Sequence, residues 1–543
     1  MASLTKAGFL EIAGGVSPGE TLVVPLTLRL LGDQLTPVLA YRRLVAADER
    51  TAPSFLLESV EDQQRQGRHS ILGAGPSLEV LAEEERVRVV AHRGEAPVGG
   101  GERTGDPLAV LREISGGLRL SVPRSSVDSG MMPDCALGGW FGYAGYDSVR
   151  YAEPGKLGFD RAPEDDRGLP DVAFGFYDEV VVFDHVEQTV YLIRLCLVGD
   201  GDDAGDVYER GVAALDALEA KIQRHSRPLP AGRVGAHPPA RELPSNTTRA
   251  RHAEMVERAR EYIRAGDIFQ VVLGQRFERE SAADPFDVYR ALRAVNPSPY
   301  MVYMQAGPCI LIASSPEILC RVERTGGGGL RVTNRPLAGT RRRGRTEAED
   351  LALEAELLAD PKERSEHVML VDLGRNDVGV VSRPGSIELE RVMTVERYSH
   401  VMHISSTVTG ELRGGVDAWD ALRAALPVGT ISGAPKIRAM QIIDELEPVR
   451  RGPYGGGMGY VGLDGQMDIA LALRTMVAPV SMFDGGTWTY HIQAAGGIVM
   501  DSVVEAEYDE TVNKAAALGR AIDVAEEAFG ERAMNGDGRG DEP

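Results

Sequence analysis

The sequence predicts a large α+β protein, and three observations carry that expectation. The first part of the chain is dominated by alternating, β-rich stretches. Helical spacing then appears at 207–223. From about residue 247 onward, helices, strands and glycine-rich turns alternate to about residue 530. In the β-rich part, EVVVFDHVEQTVYLIRL (179–195) reads as a hairpin of two branched strands turning at Asp184–Gln188. Val212, Leu215, Leu218 and Ile222 mark the apolar stripe of the helix at 207–223. Five prolines in RPLPAGRVGAHPPARELPSN make 227–246 a linker. Beyond it, Asn246–Thr248 can cap a helix that ends at Gly266, and the strand IFQVVLGQRFE follows. MDIALALRTMVAP (467–479) reads as a strand-like apolar run. The expected organisation is an N-terminal region at 1–226, the linker at 227–246, a second region at 247–530 and a disordered tail at 531–543.

At 543 residues the chain suits two domains or one large intertwined unit, and 43% hydrophobic residues supply a sizeable core. A net charge of -22 argues against nucleic acid or an anionic membrane surface as a partner. It also requires any anionic ligand to be received by local Arg, Lys, backbone amides or a metal. The four cysteines, Cys135, Cys196, Cys309 and Cys320, have no CxxC or zinc-site spacing and read as thiols of a reducing cytoplasm. No secretory leader is expected from MASLTKAGFLEIAGG, and no apolar run is long enough to span a membrane.

Two segments repeat one charged pattern. Glu363 and Glu366 lie three apart in KERSEHVMLVDLGRND (362–377), and Glu507 and Glu510 do so in EAEYDETVNKAAALGRAI (505–522), with Lys514 one turn further. On helices, each pair projects from one face. Carboxylates without Cys or His companions suit a hard cation such as Mg2+, which takes few protein carboxylates together with water and substrate oxygens. Solvated helix faces give the same spacing. PLAGT (336–340), LPVGTISGAPK (426–436), PYGGGMGY (453–460) and QAAGG (493–497) are rich in small residues, which suits close backbone approach to an anion as well as ordinary tight turns. Arg474, inside its apolar run, needs an anion or a salt bridge. His403, in YSHVMH, is open to a core role or a catalytic one.

In order along residues 35–525, the segments LLESVE (56–61), GGWFGYAGYD (138–147), FQVV (269–272), NPSPYM (296–301), SSPEIL (314–319), PLAGTRRRG, KERSEHVMLVDLGRND, YSHVMH, GTISGAPKIRAM (429–440), YGGGMGY and DSVVEAEYDETVNK (501–514) resemble the chorismate-utilising enzymes, and within them the large subunits of anthranilate synthases. The resemblance implies packed antiparallel sheets with helices outside, and conversion of chorismate and ammonia to anthranilate and pyruvate in tryptophan biosynthesis. It implies Mg2+ at Glu366 and Glu510, with Glu363 and Glu507 beside them. Glu363 would serve as an acid, His403 as the catalytic histidine, and Thr430 would line the pocket. Gly339, Thr340, Tyr454, Arg474, Gly496, Gly497 and Lys514 would contact chorismate.

A further set, Glu58, Ser59, Pro299, Tyr300 and Met301, would bind L-tryptophan as a feedback inhibitor, with Met458 and Tyr460 at the wall. Ala338 stands where aminodeoxychorismate synthases carry a nucleophilic Lys, and Gln270 where isochorismate and salicylate synthases carry a Lys that activates water. Ala495 departs from the QAGAG of many relatives, and its methyl is expected to crowd a backbone–carboxylate contact. No cysteine has a nucleophile-elbow context, so ammonia is expected from a separate glutamine amidotransferase subunit or from solution. The resemblance implies a heterotetramer with such a subunit. Two alternatives stay open: a sibling that stops at 2-amino-2-deoxyisochorismate and serves secondary metabolism, and a catalytically silent tryptophan-binding subunit.

Overall fold

The computed structural model describes residues 3–58, 67–93, 96–123, 130–224, 229–233, 241–398 and 401–530. Ser59, part of the linker and the 531–543 tail lie outside them.

Local signals set several boundaries. The helix Arg249–Ala265 starts at Thr248, whose side chain accepts from the Arg251 amide, and stops at Gly266, where φ is +83°. At the hairpin turn the Asp184 carboxylate accepts from the Val186 and Glu187 amides. The strands Glu179–Asp184 and Thr189–Val198 then pair in antiparallel register. Asp360 caps the helix Pro361–Val381 through the Lys362 and Glu363 amides, with Pro361 in the first turn, where its missing N–H costs nothing.

The strands assemble into two sheets of twelve. The first runs from Gly433–Ala434 through Gln270–Ser281, Trp488–Ile498, Thr475–Pro479, Cys309–Ser315 and Tyr300–Gln305 to Ser54–Glu58, and on through His69–Ala74, Glu179–Asp184 and Thr189–Val198 to Thr21–Leu31 and Leu118–Leu120. The second joins Leu337–Arg342, Val401–Glu411, Ile318–Arg324, Met467–Leu471 and Gly457–Gly462 to Gly139–Ala144, Val172–Tyr177 and Leu78–Glu83. Each sheet is therefore sewn from both sides of the linker. The seams are Met301 opposite Glu58 in one sheet and Gly457 opposite Ala144 in the other. Of the described linker residues, Arg241 pairs with Asp523 and Glu526 of the last helix, Val504–Phe529, whereas Pro244 and Asn246 hydrogen-bond along the strand Gln270–Ser281.

The sheets face each other across a core of Phe55, Phe141, Tyr177, Met304, Leu311 and Met458, in which the Phe55 and Phe141 rings stack at 4.0 Å. Helices Ala204–Gln223, Pro285–Val295 and Val504–Phe529 cover the outer face of the first sheet; Pro107–Gly116 and Ala418–Ala425 cover that of the second. The predicted fold class holds.

One expectation needs correction. The run 467–479 is two strands, Met467–Leu471 and Thr475–Pro479, in different sheets. The chain crosses between the sheets at Ala472–Arg474, and Arg474 takes φ +46° there. Partners distant in sequence hold the break: Gly456 accepts from the Ala472 amide and Arg474 accepts from the Ser314 amide at 3.1 Å. No glycine or proline marks it in the sequence.

A candidate active site between the two glutamate helices

The first turns of the helices Pro361–Val381 and Val504–Phe529 converge on the end of the strand Trp488–Ile498. Three glycines make the approach possible. A Cβ on Gly497 would stand 2.5 Å from Gln270 Nε2 and 3.8 Å from Glu366 Oε1. One on Gly496 would meet Glu507 Oε2 at 3.4 Å, and one on Gly339 would meet Glu363 Oε2 at 3.0 Å. Gly339 also sits at φ +67°, inside a bulge where Ala338 pairs with Ile404 and Thr340 with His403.

The carboxylates sense one another. Burial raises the Glu366 pKa, the Gln270 amide at 3.2 Å works against this, and the charges of Glu363 and Glu510 add to it. Burial also raises Glu507, with Glu510 contributing. The cations nearby are unevenly placed. Lys514 Nζ lies 2.6 Å from Glu510 and donates to the Ala495 carbonyl at 2.9 Å, while Arg341 lies 3.1 Å from Glu363. Among the described residues, no group of three or more His, Cys, Asp or Glu is gathered closely enough to cage a metal. Glu366 and Glu510 offer two oxygen donors on facing helices beside like charges. That donor set fits a hard cation completed by water and a substrate oxygen.

His403 completes one wall. Its Nδ1–H donates to the Gly339 carbonyl at 2.9 Å, with Thr340 Oγ1 at 3.1 Å. This fixes the neutral tautomer with a lone pair on Nε2, which has no partner among the described residues. Burial pushes the imidazole down to about 4, and the charges of Arg474 and Lys514 push the same way. His403, Arg474 and Lys514 thus share one electrostatic neighbourhood.

Thr430 stands in the short helix Gly429–Ser432, its hydroxyl within 3.5 Å of Glu317. Glu317 was not singled out from the sequence. Its only signal was a carboxylate in SSPEIL between two apolar runs. It is fully enclosed, and burial pushes its carboxyl up to about 8 despite the Leu337 amide and the Thr430 hydroxyl. Tyr454 is buried as well, and burial raises its phenol. Within the sheet the Ala495 methyl stands opposite Gly274 on the neighbouring strand, where a Cβ on Gly274 would come within 3.2 Å of it.

The proposed effector residues divide. Glu58 and Met301 are cross-strand partners, as their joining requires. Glu58 is engaged by Arg293 at 2.9 Å and by the Tyr289 hydroxyl at 2.6 Å. Pro299 is buried, and Tyr300 donates to Asp468 at 3.0 Å. Met301 packs under the outer helices, whereas Met458 and Tyr460 belong to the core between the sheets, so Met301 and Met458 do not form one wall.

Comparison with known proteins matches residues 52–520 to the chorismate binding enzyme family. The chain belongs to that family. Among curated chorismate-binding relatives, the chloroplastic anthranilate synthase alpha subunit 1 of Arabidopsis thaliana is 51% identical, over 94% of this chain and 87% of that protein. Anthranilate synthase component 1 of Pseudomonas aeruginosa is 45% identical, over 93% and 96%. The crystal structure of anthranilate synthase component I from Streptococcus pneumoniae superposes with a TM-score of 0.69 at 33% identity, covering 91% of this chain and 99% of that one. The menaquinone-specific isochorismate synthase of Escherichia coli shares the chorismate-binding fold, with a TM-score of 0.65 at 18% identity, over 95% and 98%. Among the described residues no helix is long and apolar enough to cross a membrane.

Proposed function

We propose that this chain is the chorismate-converting subunit of an anthranilate synthase, turning chorismate and ammonia into anthranilate, pyruvate and water. The observation that carries the reading is that Glu366, Glu507 and Glu510 lie against Gly496 and Gly497, with Lys514 on the neighbouring Ala495 carbonyl, while Glu363 and His403 lie against Gly339 and the charge of Arg474 reaches His403. Chorismate is a dicarboxylate, and Arg474 and Lys514 supply the local positive charge that the acidic chain otherwise lacks. The Gly339, Gly496 and Gly497 backbones let it lie close, with Thr340, Thr430 and Tyr454 at its edges. Mg2+ bound by Glu366 and Glu510 would neutralise a substrate carboxylate and steady the ring.

Ammonia attacks C2 as the C4 hydroxyl leaves, and the leaving oxygen needs a proton. Glu363 was the expected donor, but Arg341 stands against it. Glu317 holds a proton at neutral pH and sits beside Thr430, so it is the better acid. His403 Nε2, neutral and bare, can take the C2 proton as the enolpyruvyl group leaves. Ala338 offers no nucleophile and the Gln270 amide no base, which favours direct attack by ammonia over the sibling reactions.

The test is chorismate, Mg2+ and ammonium with the isolated chain, following anthranilate by fluorescence and pyruvate by coupled assay. Both products are expected in equal amounts, with no turnover when glutamine replaces ammonium. Amination without pyruvate would identify the aminodeoxyisochorismate-forming sibling, and glutamine-dependent turnover would remove the need for a glutaminase partner.

Tryptophan is proposed to inhibit by binding at the end of the Ser54–Glu58 and Tyr300–Gln305 seam, with Glu58 and Ser59 for its ammonium, backbone amides near Met301 for its carboxylate, and Pro299, Tyr300 and Tyr460 near the indole. Ser59→Leu is expected to weaken tryptophan inhibition at least about tenfold while ammonia-dependent turnover stays within about twofold. Equal inhibition of both proteins would place the effector elsewhere.

A further inference from the structure

Behind the candidate site lies a charged pair that has no part in the chemistry above. Arg451 is 1% exposed and Glu447 is 5% exposed. Arg451 Nε donates to Glu447 Oε2 at 2.9 Å, and Nη2 donates to Oε1 at 2.5 Å. The same guanidinium donates to the Ile431 carbonyl and to the Val272 carbonyl, each at 2.7 Å. Glu447 Oε1 also accepts from the Gly274 amide at 2.7 Å, and the guanidinium lies 4.6 Å from the centroid of the Tyr146 ring.

Each of these bonds ends one to three residues from a proposed chorismate contact or from the face that carries one. Ile431 follows Thr430. Val272 lies two residues from Gln270, on the same face of its strand. Gly274 pairs with Ala495, next to Gly496 and Gly497. Arg451 itself precedes Tyr454 by three residues. Burying two charges costs more than an apolar pair of equal volume unless every polar atom is satisfied, so a pair kept here is expected to serve geometry rather than stability.

We propose that the Arg451–Glu447 pair is a positioning device that holds the Thr430 turn, the Tyr454 turn and the strand Gln270–Ser281 at the spacing chorismate requires. The inference rests on the reading of these segments as the chorismate site. A planar fork with fixed donor directions can join three chain segments at once; a lysine ammonium cannot reproduce that geometry, and an apolar pair provides no directional link. A misplaced pocket costs rate far more readily than it costs stability.

The experiment uses the full chain carrying Arg451→Met with Glu447→Leu, which keeps the volume without the charges, and separately Arg451→Lys. Thermal unfolding, the chorismate KM and kcat with ammonium, and the fraction of aminated intermediate released before pyruvate is lost are measured on each. The apolar double variant is expected to melt near the wild type, to lose about a hundredfold in kcat/KM, and to release intermediate that the wild type retains. Arg451→Lys is expected to retain its charge and still lose most of kcat/KM. Either variant, folded and with wild-type KM, kcat and product partition, overturns the proposal. So does a loss of activity in both variants that only follows a loss of thermal stability. Should the wild type itself fail to convert chorismate, the reading of the site falls as well, a result distinct from active wild type with unaffected variants.

Discussion

Glu510→Gln is expected to give a folded protein that forms anthranilate more than roughly a thousandfold more slowly than the wild type, equivalent to about 4 kcal/mol of barrier. The carboxylate is half-exposed, and its partner within the chain is Lys514 at 2.6 Å, so the fold does not depend on it. Its position explains the large effect. Glu510 is close enough to Glu366 to help raise that carboxyl, yet it comes from the opposite helix. Two like charges brought together by glycine-permitted packing repel each other, and a divalent cation held by both would offset that repulsion. The amide keeps the shape and removes the charge. Chelation by EDTA should abolish wild-type turnover, and Mg2+ should restore it. Calorimetric titration should show weaker Mg2+ binding to the variant. Undiminished turnover or undiminished Mg2+ binding would remove Glu510 from the metal site.

The second large effect is expected at Glu317. Glu317→Gln cannot deliver a proton to the departing C4 hydroxyl, and a loss on the order of 10²–10⁴-fold in kcat is expected. The pH dependence gives an independent check. With the carboxyl pushed up to about 8, the acid form dominates at neutral pH, and kcat/KM should fall as pH rises through about 8. The variant should lack that limb. The sign for stability follows from the same shift. The folded chain keeps a proton that the unfolded chain releases near 4.5, so this group's stabilising contribution is full below 4.5 and diminishes as pH rises to about 8. Glu317→Gln should remove that slope from the unfolding free energy. A variant with wild-type kcat would return the acid role to another group.

What the sequence disclosed and what it withheld divide along chain separation. The cap at Thr248, the stop at Gly266 and the turn at Asp184 are local devices, and each was readable because its cause lies within a few residues. The Glu363–Glu366 and Glu507–Glu510 pairs were readable as helical spacings for the same reason. That the two helices meet was not, because it depends on Gly496 and Gly497, which belong to a third element. Glu317 was missed because its raised pKa comes from burial under segments far away in sequence. The break at Arg474 was missed because backbone partners at Ser314 and Gly456 create it. That Gly274 stands opposite Ala495 was likewise not readable, because the two strands lie more than two hundred residues apart. The resemblance supplied the roles; the burial of Glu317 and the Arg341 contact of Glu363 are what make Glu317 the proposed acid, and Met301 and Met458 lie in different cores.

The interleaving of the sheets has a consequence for how the chain is made. As it leaves the ribosome, the strands Ser54–Glu58 and Gly139–Ala144 each have one neighbour from the early part of the chain and one side with nothing to pair. Their other partners, Tyr300–Gln305 and Gly457–Gly462, are synthesised much later. Through most of translation the nascent protein therefore carries two raw sheet edges flanked by apolar faces, the kind of surface that invites pairing with other chains. Closing such distant pairs is also slow, because the loop entropy is lost before the contacts repay it. Yield of this protein in a host should thus depend on translation speed and on chaperones that shield those edges, more than on the stability of the finished fold.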